Sequence, residues 1–199
     1  MVAANHSLIY DIFKEKTSLN KSDIELVIEL IVFIMKRQLF LEKKIVLQKF
    51  GELGIFQKRF EKKKTIRIRR CVYLMEVIKK TRELKYEDFK CQLYPVEDLS
   101  KIFNIMKKQA YFLMNLFVFG LISQLARDNR VGFNYFGEIY IIDDYNWKKT
   151  WTRPFITKFK QYAQFKNEID GKSNSLAVSS RLKTVLKIHN ISCEIPKKS

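Results

Sequence analysis

The chain has 199 residues, with 38 Lys and Arg against 21 Asp and Glu, for a net charge of +17. Apolar types make up 47%, with only six Gly and three Pro, which excludes a disordered tail, a collagen-like chain and a low-complexity chain. The length suffices for one large domain or two small ones.

In chain order, Leu8, Ile9, Ile12 and Phe13 recur at helical spacing over residues 7–16. Ser22-Asp23-Ile24-Glu25 reads as a capping box and starts a helix from Asp23 to about Phe40. Ile24, Val27, Ile28, Ile31, Val32, Ile34 and Met35 make that helix apolar on most sides, the pattern of a helix buried between other elements. Alternation over Lys43–Lys49 and Leu53–Phe60 predicts two strands, with Gly51 and Gly54 suited to a turn or bulge between them. A third strand is expected over Thr65–Leu74, with Ile66 and Ile68 on one face and Arg67 and Arg69 on the other, and a helix over Met75–Arg82. Lys85–Pro95 reads as a polar join, after which Val96-Glu97-Asp98-Leu99 opens a helix with acids in its first turn. A second mostly apolar helix spans Tyr111–Leu125. The tail is rich in Ser and Lys, and Leu182–Ile188 has the spacing of a short amphipathic helix. The longest apolar run, Phe112–Ile122, is interrupted by Asn115 and Gly120 and is too short for a membrane span. Met1–Ser7 lacks the pattern of a secretory signal. No membrane partner is expected.

The chain also repeats itself. Phe50-Gly51-Glu52 aligns with Phe136-Gly137-Glu138 at an offset of 86 residues. The same offset carries Leu30, Val32, Phe33 and Leu39 onto Leu116, Val118, Phe119 and Leu125, and, continued without a gap, Arg67 onto Arg153. An apolar helix, a strand, a Phe-Gly-Glu turn and another strand thus occur twice. Two units follow, 5–84 and 95–169, with a basic tail over 170–199. Phe50, Gly51, Phe136 and Gly137 are the structural turn residues.

Little in the sequence points to catalysis. Cys71, Cys91 and Cys193 have no CxxC spacing, so they read as free thiols of a reducing compartment. His6 and His189 sit near opposite ends, and no GxGxxG, P-loop or HExxH occurs. Asp143 and Asp144 are adjacent, so on a strand they would face opposite ways; they read as turn residues. The expectation is a non-enzymatic protein with no cofactor, metal site or small-molecule substrate. The charge is spread evenly, +9 over residues 1–94 and +8 over 95–199, which suits a partner that is acidic over a broad surface. Its densest stretch holds Lys58, Arg59, Lys62, Lys63, Lys64, Arg67, Arg69 and Arg70 against the single Glu61 and is the candidate basic face. Tyr145, Trp147 and Trp151 form a candidate aromatic face, of the type enriched in protein interfaces.

The order of helical hairpin, strand, Phe-Gly turn and basic ribbon over Leu19–Phe60 resembles the bacterial HU/IHF fold. Lys49-Phe50-Gly51-Glu52-Leu53 stands at that family's glycine-aromatic turn, with Lys49 in place of its middle glycine and Leu53 in place of its second aromatic. The tandem arrangement resembles the eukaryotic tandem HU-like family of centrosomal and ciliary proteins. That likeness is carried by Arg69-Arg70-Cys71-Val72-Tyr73-Leu74, by Arg130-Val131-Gly132-Phe133 with Phe136-Gly137-Glu138-Ile139, and by Trp147–Phe155 before a closing helix over Ile156–Glu168. The resemblance implies an α+β fold of two tandem HU/IHF-like units, each a helical hairpin followed by a small antiparallel sheet, forming an intrachain pseudo-dimer in which the two apolar helices pack on each other. It also implies a cytoplasmic, cytoskeletal setting in a ciliary axoneme or centriole, with the tubulin lattice and neighbouring axonemal or centriolar proteins as partners. Nucleic acid, as an HU-like DNA binder or an organellar ribosomal protein, is the alternative. The short second ribbon, and the lack of Pro or Gly between Phe56 and Arg70, argue against long DNA-bending arms.

Overall fold

Residues 5–41, 43–57, 64–89, 100, 105–134, 136–142 and 146–151 are described by a computed structural model. The first apolar stripe forms α1 (Ser7–Lys16) and buries Ile9, Ile12 and Phe13. Its last turn carries Lys14 and Lys16, the favourable sign for a helix C-terminus. The next helix, α2 (Lys21–Phe40), starts two residues before the expected Asp23. Asn20 is the cap, its Oδ1 accepting the Asp23 backbone N–H at 3.0 Å. Ser22 instead donates its hydroxyl to Asn20 Oδ1 at 2.8 Å. Asn caps at least as well as Ser, so the helix takes the earlier start.

β1 (Ile45–Leu47), β2 (Gly51–Gln57) and β3 (Lys64–Arg70) form an antiparallel sheet in that order. The expected third strand overshoots, because β3 ends at Arg70. Cys71 caps α3 (Val72–Ile78), its Sγ accepting the Leu74 N–H at 3.5 Å. Tyr73, Leu74 and Val77 are spaced to share one helix face, and all three are buried. The stretch read as a basic-aromatic strand is therefore strand through Arg70 and helix from Val72, and the helix expected over Met75–Arg82 ends at Ile78. A 3₁₀ turn at Tyr86–Asp88 follows, and Phe89 is buried, so the start of the polar join belongs to the core.

α4 (Lys107–Asp128) is the second apolar helix, longer than expected at both ends and closed by Asn129 in the left-handed conformation. β4 (Arg130–Phe133), β5 (Gly137–Ile142) and β6 (Asn146–Trp151) form a second three-stranded antiparallel sheet. The molecule is therefore α+β, with four helices and two small sheets among the described residues.

The duplication is geometric as well as sequential. Lys21 and Lys107, 86 residues apart, each open the long helix. Phe50 N–H donates to Leu47 O at 3.0 Å, and Phe136 N–H to Phe133 O at 3.3 Å. Leu47 pairs with Gly51, and Phe133 with Gly137. Beyond β5 the ungapped offset fails. Gly51 faces Arg70 whereas Gly137 faces Trp151, so equivalent residues on the third strands lie 81 apart and the second ribbon is five residues shorter. Arg67 corresponds to Lys148, not to Arg153.

One hydrophobic core runs through both repeats, from Ile9 to Ile139. The closest backbone contacts of the described helices run through α1 and α4. α1 lies along α4, and α3 also packs on α4, while α2 packs on α1 and its own sheet. The close approach is made at Gly120, where a Cβ would come within 3.0 Å of Ile9 Cα. The segment before α1 reaches further. Asn5 and Gly132 exchange backbone hydrogen bonds of 3.1 Å as an isolated antiparallel bridge. His6 Nδ1 lies 3.1 Å from Gly132 O, and its ring stacks on Phe133 at 5.4 Å. The Leu8 N–H donates to Gln124 Oε1 at 2.9 Å. By length and mean hydropathy α4 would pass as a membrane span, but 67% of its most apolar window is buried inside this fold, and it serves as the core helix.

Candidate polyanion-binding face

β3 sets the basic face. Along a strand successive side chains point to opposite sides. Ile68 packs against the core, and Arg67 and Arg69, either side of it, are exposed. Arg70, opposite Gly51, is exposed too. Arg69 stands across from Glu52 in the register, and Glu52 is itself engaged by Lys44 at 3.1 Å. Among the described residues Glu52 is thus the carboxylate that faces these cations across the register. β6 contributes the second part. Lys148 and Thr150 are exposed, and Lys149 between them is buried. The two sheets approach each other through β3 and β6, so Arg67, Arg69 and Lys148 stand on adjoining strands. Arg130, at the start of β4, is exposed as well. Outward residues on one strand are spaced by about 6.7 Å, close enough to act together on a polyanion within a Debye length of about 8 Å at physiological salt.

Of the expected basic face, Arg67, Arg69 and Arg70 are in place, and Lys64 is on β3 by backbone pairing with Gln57. Lys58, Arg59, Lys62 and Lys63, and the side chain of Lys64, lie outside the described residues. Of the expected aromatic face, Tyr145 lies outside them, as do the side chains of Trp147 and Trp151, whose backbones pair with Ile141 and Gly137. Positions 147 and 151 share strand parity with Lys149, the buried position of β6. Lys148 was not singled out from the sequence. Allowing the second ribbon to be five residues shorter would have made it the equivalent of Arg67.

Phe50 and Phe136 stand in turns, and Gly51 and Gly137 open β2 and β5. Phe50 and Phe136 are 0% and 1% exposed. Gly51 and Gly137 have φ of 141° and 122°, and a Cβ on either would collide with a backbone carbonyl oxygen of the third strand, that of Arg69 or Thr150. Glycine at each is required by both conformation and space.

Lys149 is the unexpected group. It occupies the position of Ile68 in the first sheet. Its Nζ donates to Phe136 O at 3.0 Å and Thr150 O at 3.3 Å, and lies 4.1 Å from the Phe136 ring centre. Burial pushes its ammonium down to about 6, with Glu138 acting in the opposite direction. In the first unit Cys71 N–H donates to Phe50 O at 3.2 Å, and in the second Lys149 Nζ is a donor to Phe136 O. Cys71 is free, and burial raises its thiol above the ordinary range. Among the described residues no group of His, Cys, Asp and Glu is arranged to hold a metal.

A groove of about 750 Å³ opens between α1, α2 and the turn that joins β4 to β5. Phe33, Leu30, Phe133 and Phe136 line its apolar part, and Asp11, Glu25 and Glu29 supply carboxylates.

No family model, curated protein or solved structure matches the chain.

Proposed function

We propose that the chain is a tandem HU-like structural protein whose two units form an intrachain pseudo-dimer, and that it docks through the outward cations of β3 and β6 on the acidic surface of a tubulin lattice. The observation that carries this reading is the placing of Arg67, Arg69 and Lys148 on adjoining strands, facing away from a core built on two equivalent Phe-Gly turns. Its setting in a ciliary axoneme or centriole, among neighbouring axonemal or centriolar proteins, rests on the family resemblance. The reading needs no catalytic group. The α-α-β-β-β-α order of the first repeat supports the HU-like part.

A second reading, an HU-like architectural protein on duplex DNA, is favoured by the seven-pair ribbon of β2 and β3 with its exposed arginines. Pelleting with stabilised microtubules and a gel shift with duplex DNA, both at about 150 mM salt, separate the two. The expected result is pelleting without a DNA shift, with affinity falling at least tenfold in Arg67→Ala/Arg69→Ala/Lys148→Ala while far-UV circular dichroism is unchanged. A salt-sensitive DNA shift without pelleting would replace the first reading by the second.

A further inference from the structure

The second sheet carries an aromatic ring between two cations. Val131, Ile139 and Lys149 pair across its three strands and are buried, so they mark the core side. Arg130, Tyr140 and Lys148 pair in the adjacent row, and strand alternation sets them on the opposite side. Arg130 and Lys148 are exposed, and Tyr140 is partly exposed. Gly132 turns both its backbone hydrogen bonds outward to Asn5. Alternation along the ladder then makes Arg130 and Tyr140 a close, non-hydrogen-bonded pair, with Cα atoms about 4.5 Å apart, and Tyr140 and Lys148 a hydrogen-bonded pair at about 5.5 Å. The tyrosine therefore has a cation on each side at one level of the sheet.

The two repeats differ at this row. In the first sheet the equivalent positions are Lys44, Gly54 and Arg67. Cations stand at both ends in each repeat, but the centre is glycine in one and tyrosine in the other. Lys44 is held by Glu52 at 3.1 Å. Among the described residues no carboxylate forms an ion pair with Arg130 or Lys148. Glu138, the equivalent of Glu52, stands in the next row between Gly132 and Thr150. Asp128, two residues before Arg130, is engaged by Arg127 at 2.8 Å.

We propose that this face of the second sheet binds single-stranded nucleic acid, with Tyr140 stacking on a base and Arg130 and Lys148 holding the phosphates on either side of it. An unpaired strand offers both the negative charge for the cations and a π face for the ring, whereas a duplex keeps its bases stacked inside. An acidic polypeptide would satisfy the cations and leave the ring without a role. The site shares Lys148 with the polyanion face but goes beyond the tubulin reading, since it takes a different ligand and turns on a residue that face does not use.

The test measures fluorescence anisotropy of the full chain with labelled oligothymidylate of about twelve nucleotides, an abasic oligomer of the same length and charge, and a duplex, at about 150 mM salt. The expected result is binding to oligothymidylate at least fivefold tighter than to the abasic oligomer or the duplex. Tyr140→Leu should remove that preference while keeping the abasic affinity, which shows the sheet intact, and Tyr140→Phe should retain it. Arg130→Ala/Lys148→Ala should weaken binding of both single-stranded oligomers and lower its salt dependence. Equal affinity for oligothymidylate and the abasic oligomer, or a preference that survives Tyr140→Leu, would overturn the proposal. So would duplex binding as tight as single-strand binding, or displacement of oligothymidylate by polyglutamate as readily as by the unlabelled oligomer.

Discussion

At the scale of single residues, two kinds of position carry the most information. Gly51 and Gly137 were legible because a Phe-Gly-Glu identity recurring at a fixed spacing marks a backbone requirement, and the structure gives the reason in a positive φ and a carbonyl oxygen where a Cβ would stand. Gly51→Ala and Gly137→Ala are each expected to cost about 2–3 kcal/mol, read as a lower urea midpoint. Lys149 was not legible. A lysine flanked by Lys148 and Thr150 looks like surface, and only the shorter second ribbon makes it the equivalent of the core-facing Ile68. Its consequence is a pH dependence of definite sign. The ordinary lysine value of 10.5 holds in the unfolded chain, and burial lowers it to about 6 in the folded one. Between those limits the unfolded chain binds the extra proton, so stability rises with pH, by at most about 1.4 kcal/mol per unit. Thermal unfolding followed from about pH 6 to about pH 10 should show the rise, and Lys149→Ile should flatten it. A slope unchanged by that substitution would mean another group carries it.

At the scale of elements, the helices were legible in type because their apolar spacing is strongly periodic. α1 matches its expected bounds, while α2 and α4 extend past theirs. Ends were less legible, since they depend on local competition for caps. Asn20 outdid Ser22, and Cys71 turned an expected strand into α3. Partners were less legible. Two helices apolar on most faces suggested a mutual contact, and nothing in that pattern pointed to the close backbone approach of α1 to α4. A lone glycine inside an apolar helix held the clue, because Gly120 is what lets the two backbones approach. Gly120→Val is expected to overpack that contact, at a cost of about 1–3 kcal/mol, and to speed hydrogen exchange over Ile9–Phe13 before it affects β2 and β3. Equal acceleration in both places would show that α1 is not a separately docked element.

At the scale of the whole molecule, the duplicated order of elements was legible and the way the halves share one interior was not, because a repeat in sequence is silent on which copy covers which. The core that runs from Ile9 to Ile139 predicts that neither half stands alone. Residues 1–90 expressed by themselves should bind a hydrophobic dye and unfold without a sharp transition, and adding residues 91–199 should restore one cooperative transition by circular dichroism. A sharply melting 1–90 fragment would contradict a shared interior. The bridge between Asn5 and Gly132 carries a further consequence, for the order in which the protein is made. α1 leaves the ribosome before its resting place, which is translated about a hundred residues later. Until α4 emerges, α1 has only α2 to settle on, and closing so long a loop is slow. α1 is therefore made well before it finds its final place, and in that interval its apolar face is open to other proteins.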